Sequence, residues 1–419
     1  MQARFISVLL SVFVMMLAVG SLVGAQTPAA DFYVAPGGND TWSGKLARPN
    51  ESETDGPFAT LTRARDAVRQ RKAAGFDHPV TVLLGGGVYT LKEGVTFGLE
   101  DSGTEQYSIT YAAFPGEKAV LSGGQKITGW KKGAGEFWST ELPEVKAGRW
   151  YFRQLFVNGR RAIRARTPNA DDKVPWWIIK TSTISEQEDQ PFTVTVNHPI
   201  PACTNPSEVE IICIYNNEGG RKRLQAVDET QQTLTVAPPH KWNPKCFGND
   251  WYLSSPTEGK ACYLENALEL LDQPGEWYLD RTSGVLSYWP RSGEDLRQDE
   301  VVAPVVQNTL VSIVGTSERP MENLHFRGIA LEYVDWPLPP WGYNGLFSCN
   351  VATGSKEQPG HRFIEAALEI GNAKSCSFTD GAIAHVGAMG LCVRDGTGDI
   401  RIEETSCMTW AAVGLEPAA

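Results

Sequence analysis

The segment Ala366–Val413 returns to the same chemistry at a fixed interval. Gly390-Leu391 recurs as Gly414-Leu415, 24 residues on. Laying Gly390–Val413 on Ala366–Met389 puts Phe378 on Ile402, Cys376 on Ile400, His385 on Thr409 and Gly390 on Gly414. Neither copy carries a sustained helical period or a long alternating strand. Fixed periods of roughly 20–50 residues mark stacked supersecondary units, because each unit buries its apolar face only against the next. Short β runs in a 24-residue turn predict a parallel β-helix, each turn adding a rung about 4.8 Å along the axis. Inward positions then stack apolar residues, and outward positions on one wall form a long groove.

The rest of the chain divides around this pattern. With 13 Trp, 12 Tyr and 41 Gly and few helical periods, the composition indicates a mostly β protein. One amphipathic helix is expected in FATLTRARDAVRQRKAAG, where Leu61, Ala64 and Val68 fall at i, i+3 and i+7, Pro57 precedes and Gly75 ends the run. Its arginines lie mainly on the polar face. Short β runs follow: PVTVLL, GVYTL, YSITYAAF and KAVLSGG. From about Trp130 to Glu300 the reading changes to an antiparallel module, expected to be a β-sandwich. Within it, QLFVNGRRAI places Asn158-Gly159 between two extended arms, a type I′ hairpin signal. GEWYLDRTSGVLSYWP gives two aromatic strands around a loop ending in Gly284. Short β runs resume from 301.

The first 25 residues read as a secretory signal. Arg4 gives a basic start, Ile6 to Val19 is almost wholly apolar, and Val23 and Ala25 supply the small residues of a cleavage site before Gln26. The apolar run is shorter than the roughly 20 residues a spanning helix needs. The expected location is secreted or periplasmic, with no membrane association after cleavage. The formal charge is −11, and the leader carries one arginine and no acid, so the mature chain is one unit more negative. That acidity argues against nucleic acid and against a polyanionic substrate held by bulk charge. Eight cysteines in an exported chain permit disulfides. No C-x-x-C or Cys/His spacing for zinc appears, so neither a metal nor a cofactor is expected. No motif bears on oligomeric state.

FYVAPGGNDTWSG…DGPFATLTRARDAVR, LFVNGRRAIRARTPN, GEWYLDRTSGVLSYWP, FRGIALEYVDWPLPP and CSFTDGAIAHVGAMGLCVRDG resemble secreted right-handed parallel β-helix proteins of the glycoside hydrolase family 141 type. The likeness covers nearly the whole mature chain. It implies an all-β fold: a right-handed parallel β-helix interrupted by an inserted antiparallel β-sandwich, with the helix at 58–74 capping its N-terminal end. The corresponding division is a signal at 1–25, N-terminal rungs at 26–129, the insertion at 130–300 and continuing rungs at 301–419. The resemblance also implies a carbohydrate-active enzyme, fucosidase-like or xylan-directed. The group usually continues for several more rungs, so a C-terminally truncated chain is expected. It often has Asp where this sequence has Thr409, and a Gly-rich run where it has WAAVG.

Glycoside hydrolysis needs two carboxyl groups flanking the sugar, roughly 5 Å apart for retention and about 6.5–9.5 Å for inversion. Alternation in AALEIG puts Leu368 and Ile370 inside and Glu369 outside; in GLCVRD it puts Leu391 and Val393 inside and Cys392 outside. In GLEP, Leu415 faces in and Glu416 out. Glu369 and Glu416 then share a face two rungs, about 9.6 Å, apart, as a catalytic pair or as solvated surface residues. Asp380 and Glu404 also stack at the period, beside turn residues; Asp395 reads as a turn residue. YVDWPLPPWGYNG gathers Asp335, Trp336, Trp341 and Tyr343 among prolines. Its aromatics suit sugar stacking, or packing between insertion and rungs, and Asp335 is a candidate acid or a cap. His385 is a candidate to position a carboxylate or hydroxyl, or a structural histidine. The expected partner is an oligo- or polysaccharide. The leading function is a glycoside hydrolase on complex plant or algal glycans. The alternatives are a non-catalytic glycan-binding protein and, against the acidic charge and the lack of a calcium cluster, a polysaccharide lyase.

Overall fold

A computed structural model describes residues 28–408 apart from 134, 184–189, 216–217, 239–257, 341, 347–350 and 354–360. The described residues form an all-β protein with one long α-helix, Leu61–Ala74, and one short one, Pro143–Lys146.

Three stacks of parallel strands share one apolar core. The first runs Phe32–Val34, Val80–Leu84, Ile109–Ala113, Leu324–Arg327, Ser377–Thr379 and Arg401–Glu403. The second runs Gly87–Thr90, Ala119–Ser122, Ile329–Val334, Ala382–Val386 and Ser406–Met408. The third runs Val95–Phe97, Val311–Val314, Ala366–Gly371 and Met389–Val393. Each stack sends alternate residues inward, so like residues pile up along the axis. Tyr111, Phe326 and Phe378 are register partners, and the Tyr111 and Phe326 rings stack 5.4 Å apart. Phe97 meets both rings edge-on. Leu121, Leu331 and Ile383 do the same on the second stack, and Ile313 and Ile370 on the third.

The corners between stacks repeat as faithfully as the strands. Gly328, Asp380 and Glu404 occupy one register position in successive turns, and all have positive φ. Asn323, Ser375 and Asp399 form a second such row. Left-handed backbone is costly for most residues and least so for Gly, Asn and Asp, which explains why short polar residues recur there. Asp380 and Glu404 therefore stand one above the other as corner residues.

The 24-residue interval holds in the first two stacks, where Phe378 pairs with Ile402 and Ile383 with Cys407. The third stack departs from it: Leu368 pairs with Leu391 and Glu369 with Cys392, an interval of 23. The turn after Val393 holds the extra residue, with Gly396 at φ 73°. Leu391 and Val393 thus align with the buried Leu368 and Ile370, as alternation predicts, but Val393 at the last described rung is 45% exposed.

The helix closes one end of this core with Leu61, Ala64, Ala67 and Val68. Thr60 caps it by accepting the Arg63 N–H through its hydroxyl, and Gly75 ends it. Arg69 grips the buried Asp101 carboxylate with two hydrogen bonds of 2.7 Å.

The chain leaves the second stack at Gly123 and returns there. Gly124–Lys126 runs antiparallel to Val301–Pro304, and the Val305 N–H donates to the Gly123 carbonyl at 2.7 Å. Between them lie mostly antiparallel strands, with one parallel pair between Ile163–Arg164 and Glu276–Leu279, in two main sheets over two apolar clusters, one around Trp177, Phe192, Ile211 and Leu264, the other around Phe152, Trp277 and Tyr288. Asn158 and Gly159, both at positive φ, make the expected hairpin between Phe156–Val157 and Arg160–Arg161. Glu276–Leu279 pairs with Val285–Tyr288 around Gly284 in the same way.

A second excursion was not expected. After Val334 the chain leaves the stack again, and Tyr343–Leu346 joins the edge of Glu218–Asp228 in the first excursion. Val351–Thr353 and His361–Phe363 extend that sheet before the chain returns at Ala366. The two excursions therefore share one sheet.

Phe326 is 1% exposed and packs against the rings of Phe97 and Tyr111. Phe326→Ala is expected to cost about 3–5 kcal/mol of stability, read as a lowered denaturation midpoint; a cost near that of a surface substitution would contradict the stacked core.

Candidate functional site

Asp335 sits where the second stack gives way to the second excursion. Its backbone N–H donates to the Val306 carbonyl at 2.9 Å, and its carbonyl accepts from Asn308 at 2.8 Å. Its side chain is 2% exposed. Oδ2 accepts the Arg153 backbone N–H at 2.8 Å and Oδ1 accepts the Trp336 N–H at 2.9 Å. Gly387 packs so closely that a β-carbon would stand 3.0 Å from Oδ1. Burial raises the carboxyl pKa to about 6, partly offset by the backbone donor and charge of Arg153. Both oxygens accept from backbone N–H groups, so Asp335 caps the junction between the first excursion and the stack.

Behind Asp335 lies a buried ionic cluster. Arg153 donates to both oxygens of Glu210, at 2.6 and 2.7 Å. Glu210 and Glu265 stand directly opposite on neighbouring strands. Arg164 bridges them at 3.3 and 2.6 Å, and Arg221 also contacts both. Burial pushes Glu210 upward, yet the charges of Arg153, Arg164 and Arg221 with the Arg153 hydrogen bonds hold its carboxyl well below the usual range.

His385 is part of the same junction. It occupies the rung position above Tyr333, both residues have positive φ, and their rings stack 4.7 Å apart at 20°. Phe156 from the first excursion meets both rings edge-on. The Arg161 guanidinium covers Phe156 and donates to the Val386 carbonyl at 2.9 Å. Burial lowers the His385 pKa. The histidine packs insertion against stack.

The third stack carries the more open chemistry. Glu369 projects outward between Ser312 and Cys392, 16% exposed. It accepts from the Arg394 guanidinium and from the Ala366 N–H at 3.2 Å. Trp336, half-buried, donates its Nε1–H to Glu365 Oε2 at 3.0 Å. Its ring meets Tyr343 edge-on at 5.6 Å. Arg223 fixes the intervening loop by donating to the carbonyls of Leu338, Pro339 and Pro340. Arg394 also feels the charge of Glu365. Two glutamates, an arginine and an indole thus gather beside one wall. Tyr343 is buried, so it supports Trp336 and does not itself offer a face. Trp341 and Glu416 lie outside the described residues.

The structure therefore brings Glu369 and Trp336 together through Glu365, a residue the sequence reasoning passed over. Its signal was the spacing in EAALE, two acids four apart on a strand edge. Asp395 lies in the turn before Gly396, with its carbonyl accepting from Asn372. Among the described residues no group of three His, Cys, Asp or Glu is placed to hold a metal.

Residues 135–291 match the family model of the GH141 insertion domain. A solved glycoside hydrolase superposes with TM-score 0.69 at 26% identity, over 87% of this chain and 63% of its own length. The chain thus spans less than two thirds of that relative. Two remoter structures are XylC in complex with xylose (TM-score 0.37, 15% identity, 90% of this chain and 53% of that one) and the Pseudomonas phage phi297 tailspike gp61 (0.16, 13%, 83% and 48%). No curated protein matches. The chain thus carries a match to the GH141 insertion domain over residues 135–291 and resembles a solved glycoside hydrolase along most of its length.

The raised pKa of Asp335 has a defined sign. Its protonated form is favoured by folding, so its contribution is full below its ordinary value of 3.8 and is lost as pH rises through about 6. Wild type should lose up to roughly 3 kcal/mol relative to Asp335→Asn between pH 3.5 and 7. Denaturant titrations at several pH values read this; parallel pH profiles would contradict it.

Proposed function

We propose that the chain is an exported glycoside hydrolase acting on complex plant or algal polysaccharide, with Glu365 and Glu369 as its carboxylate pair. The observation that carries this reading is the Trp336 Nε1 bond to Glu365 at 3.0 Å, which sets an indole and a carboxylate beside Glu369 and Arg394. The proposed frame is a right-handed parallel β-helix made of the three stacks, with the first excursion as an inserted sandwich. The reading of residues 1–25 as a secretory signal supports a secreted or periplasmic mature protein.

Glu365, which accepts the Trp336 indole N–H, is assigned as general acid, giving its proton to the glycosidic oxygen as the C–O bond breaks. Glu369, paired with Arg394, either attacks the anomeric carbon or takes the proton of an attacking water. Trp336 supplies an apolar face for a pyranose ring and orients Glu365. The second reading, a glycan-binding protein without catalysis, is favoured by one observation: the outward position one rung beyond Glu369 is Cys392, which supplies no acid.

The test is sugar release from plant and algal glycans by wild type, Glu365→Gln, Glu369→Gln and Trp336→Phe. Each Gln variant is expected to lose about 10²–10⁴-fold in turnover. Trp336→Phe keeps the ring but drops the N–H, and should retain part of the activity. Full activity in Glu369→Gln would sink the pair, and glycan binding without release by folded wild type would favour the second reading.

A further inference from the structure

We propose that Cys213 and Cys262 form a disulfide when the protein folds in an oxidising compartment. The two residues are direct register partners across antiparallel strands. Their side chains project from the same face and are 2% and 0% exposed within one apolar cluster. Among the described residues no other two cysteines are register partners.

The hydrogen-bond phase of the ladder favours the bond. Lys260 uses its carbonyl to accept from Ile179, and Asn266 donates to Ala165. The even-numbered residues of the strand Ala261–Glu265 therefore direct their backbone groups away from the strand Glu210–Tyr215. Cys213 and Cys262 are then a non-hydrogen-bonded pair, the kind in which opposed side chains lie closest, with Cα atoms about 4.5 Å apart. That separation is inside the range disulfides span, about 4.4–6.8 Å. The other described cysteines are placed differently: Cys203 points at the Pro201 carbonyl and Cys376 at those of Met321 and Lys374.

The chemistry is a two-step exchange with a dithiol–disulfide carrier or glutathione disulfide. One cysteine thiolate attacks the carrier disulfide, forming a mixed disulfide and releasing one carrier thiol. The second cysteine attacks that mixed disulfide and releases the other. Two cysteine protons leave, and two electrons pass to the carrier. The step belongs to folding and not to the finished protein, because burial pushes the Cys213 thiol up to about 12 and Cys262 well above its ordinary value, leaving little thiolate. The bond would pin the register of the two strands that also carry Glu210 and Glu265, three pairs away. A one-residue slip of either strand would turn its acid to the opposite face, away from the other.

The wild-type chain tests this directly. It would be made once in a bacterial periplasm and once in a reducing cytosol, then unfolded with an alkylating agent present and digested without reduction. The periplasmic protein is expected to show the Cys213 peptide joined to the Cys262 peptide, two hydrogen masses lighter than the separate thiols. The cytosolic protein should show both alkylated. A reductant should lower the melting temperature of the periplasmic protein but not that of a Cys213→Ala, Cys262→Ala double variant. Alkylation of both residues in the folded periplasmic protein, or a link from either to a different cysteine, would overturn the proposal, whatever the outcome of the glycan assays.

Discussion

Two buried carboxylates facing one another across a sheet should repel, and the structure depends on what prevents it. Glu210 and Glu265 are directly opposed, a pairing that destabilises a sheet when left alone. Arg153, Arg164 and Arg221 surround them. Each arginine comes from a different part of the first excursion, and Arg153 also donates its backbone N–H to Asp335 of the stack. A buried ion cluster of this kind is weak evidence for stability as such, since apolar replacements often do as well. Its consequence here is to specify which segments meet. Removing one arginine would strand a buried carboxylate, so the cluster fixes which strands of the first excursion meet, and the Arg153 N–H ties it to Asp335.

That tie determines what the outer wall offers. The Tyr333–His385 stack and Phe156 fill the junction, and Asp335 turns its carboxylate into it. Trp336 is left at the rim, where its indole reaches Glu365. The regular rung spacing then supplies Glu369 and Arg394 on successive turns of the third stack. Irregular loop and regular stack each contribute half of the candidate site, which fits the general rule that rigid scaffolds position function carried on loops.

Much of the fold was legible because it is local. The Asn158-Gly159 turn, the aromatic hairpin around Gly284 and the helix at 61–74 each announce themselves within a dozen residues. The interval was legible too, since stacking imposes it, although the third stack repeats at 23 and an extra residue after Val393 brings the first two stacks to 24. The second excursion was not legible: its first strand pairs with residues more than 100 positions away, and strand pairing over such distances leaves little trace in composition. The site shows the same divide. Alternation alone placed Glu369 outward, whereas Asp335 stayed open between an acid and a cap, because the backbone N–H groups it accepts from, those of Arg153 and Trp336, have no signature in sequence. Tyr343 and His385 carry ring chemistry suited to sugars, yet their rings are used to pack one chain segment on another.

The most direct measurement of the central claim is a crystal structure of the Glu369→Gln variant soaked with oligosaccharides released from plant or algal cell walls. The account predicts a sugar ring against Trp336, with its glycosidic oxygen within hydrogen-bond reach of Glu365 and its anomeric carbon facing residue 369. Ordered sugar elsewhere, for example in the cleft of about 440 Å³ lined by Ala35, Pro36, Arg48, Phe114 and Glu117, with the Trp336 wall empty, would contradict it.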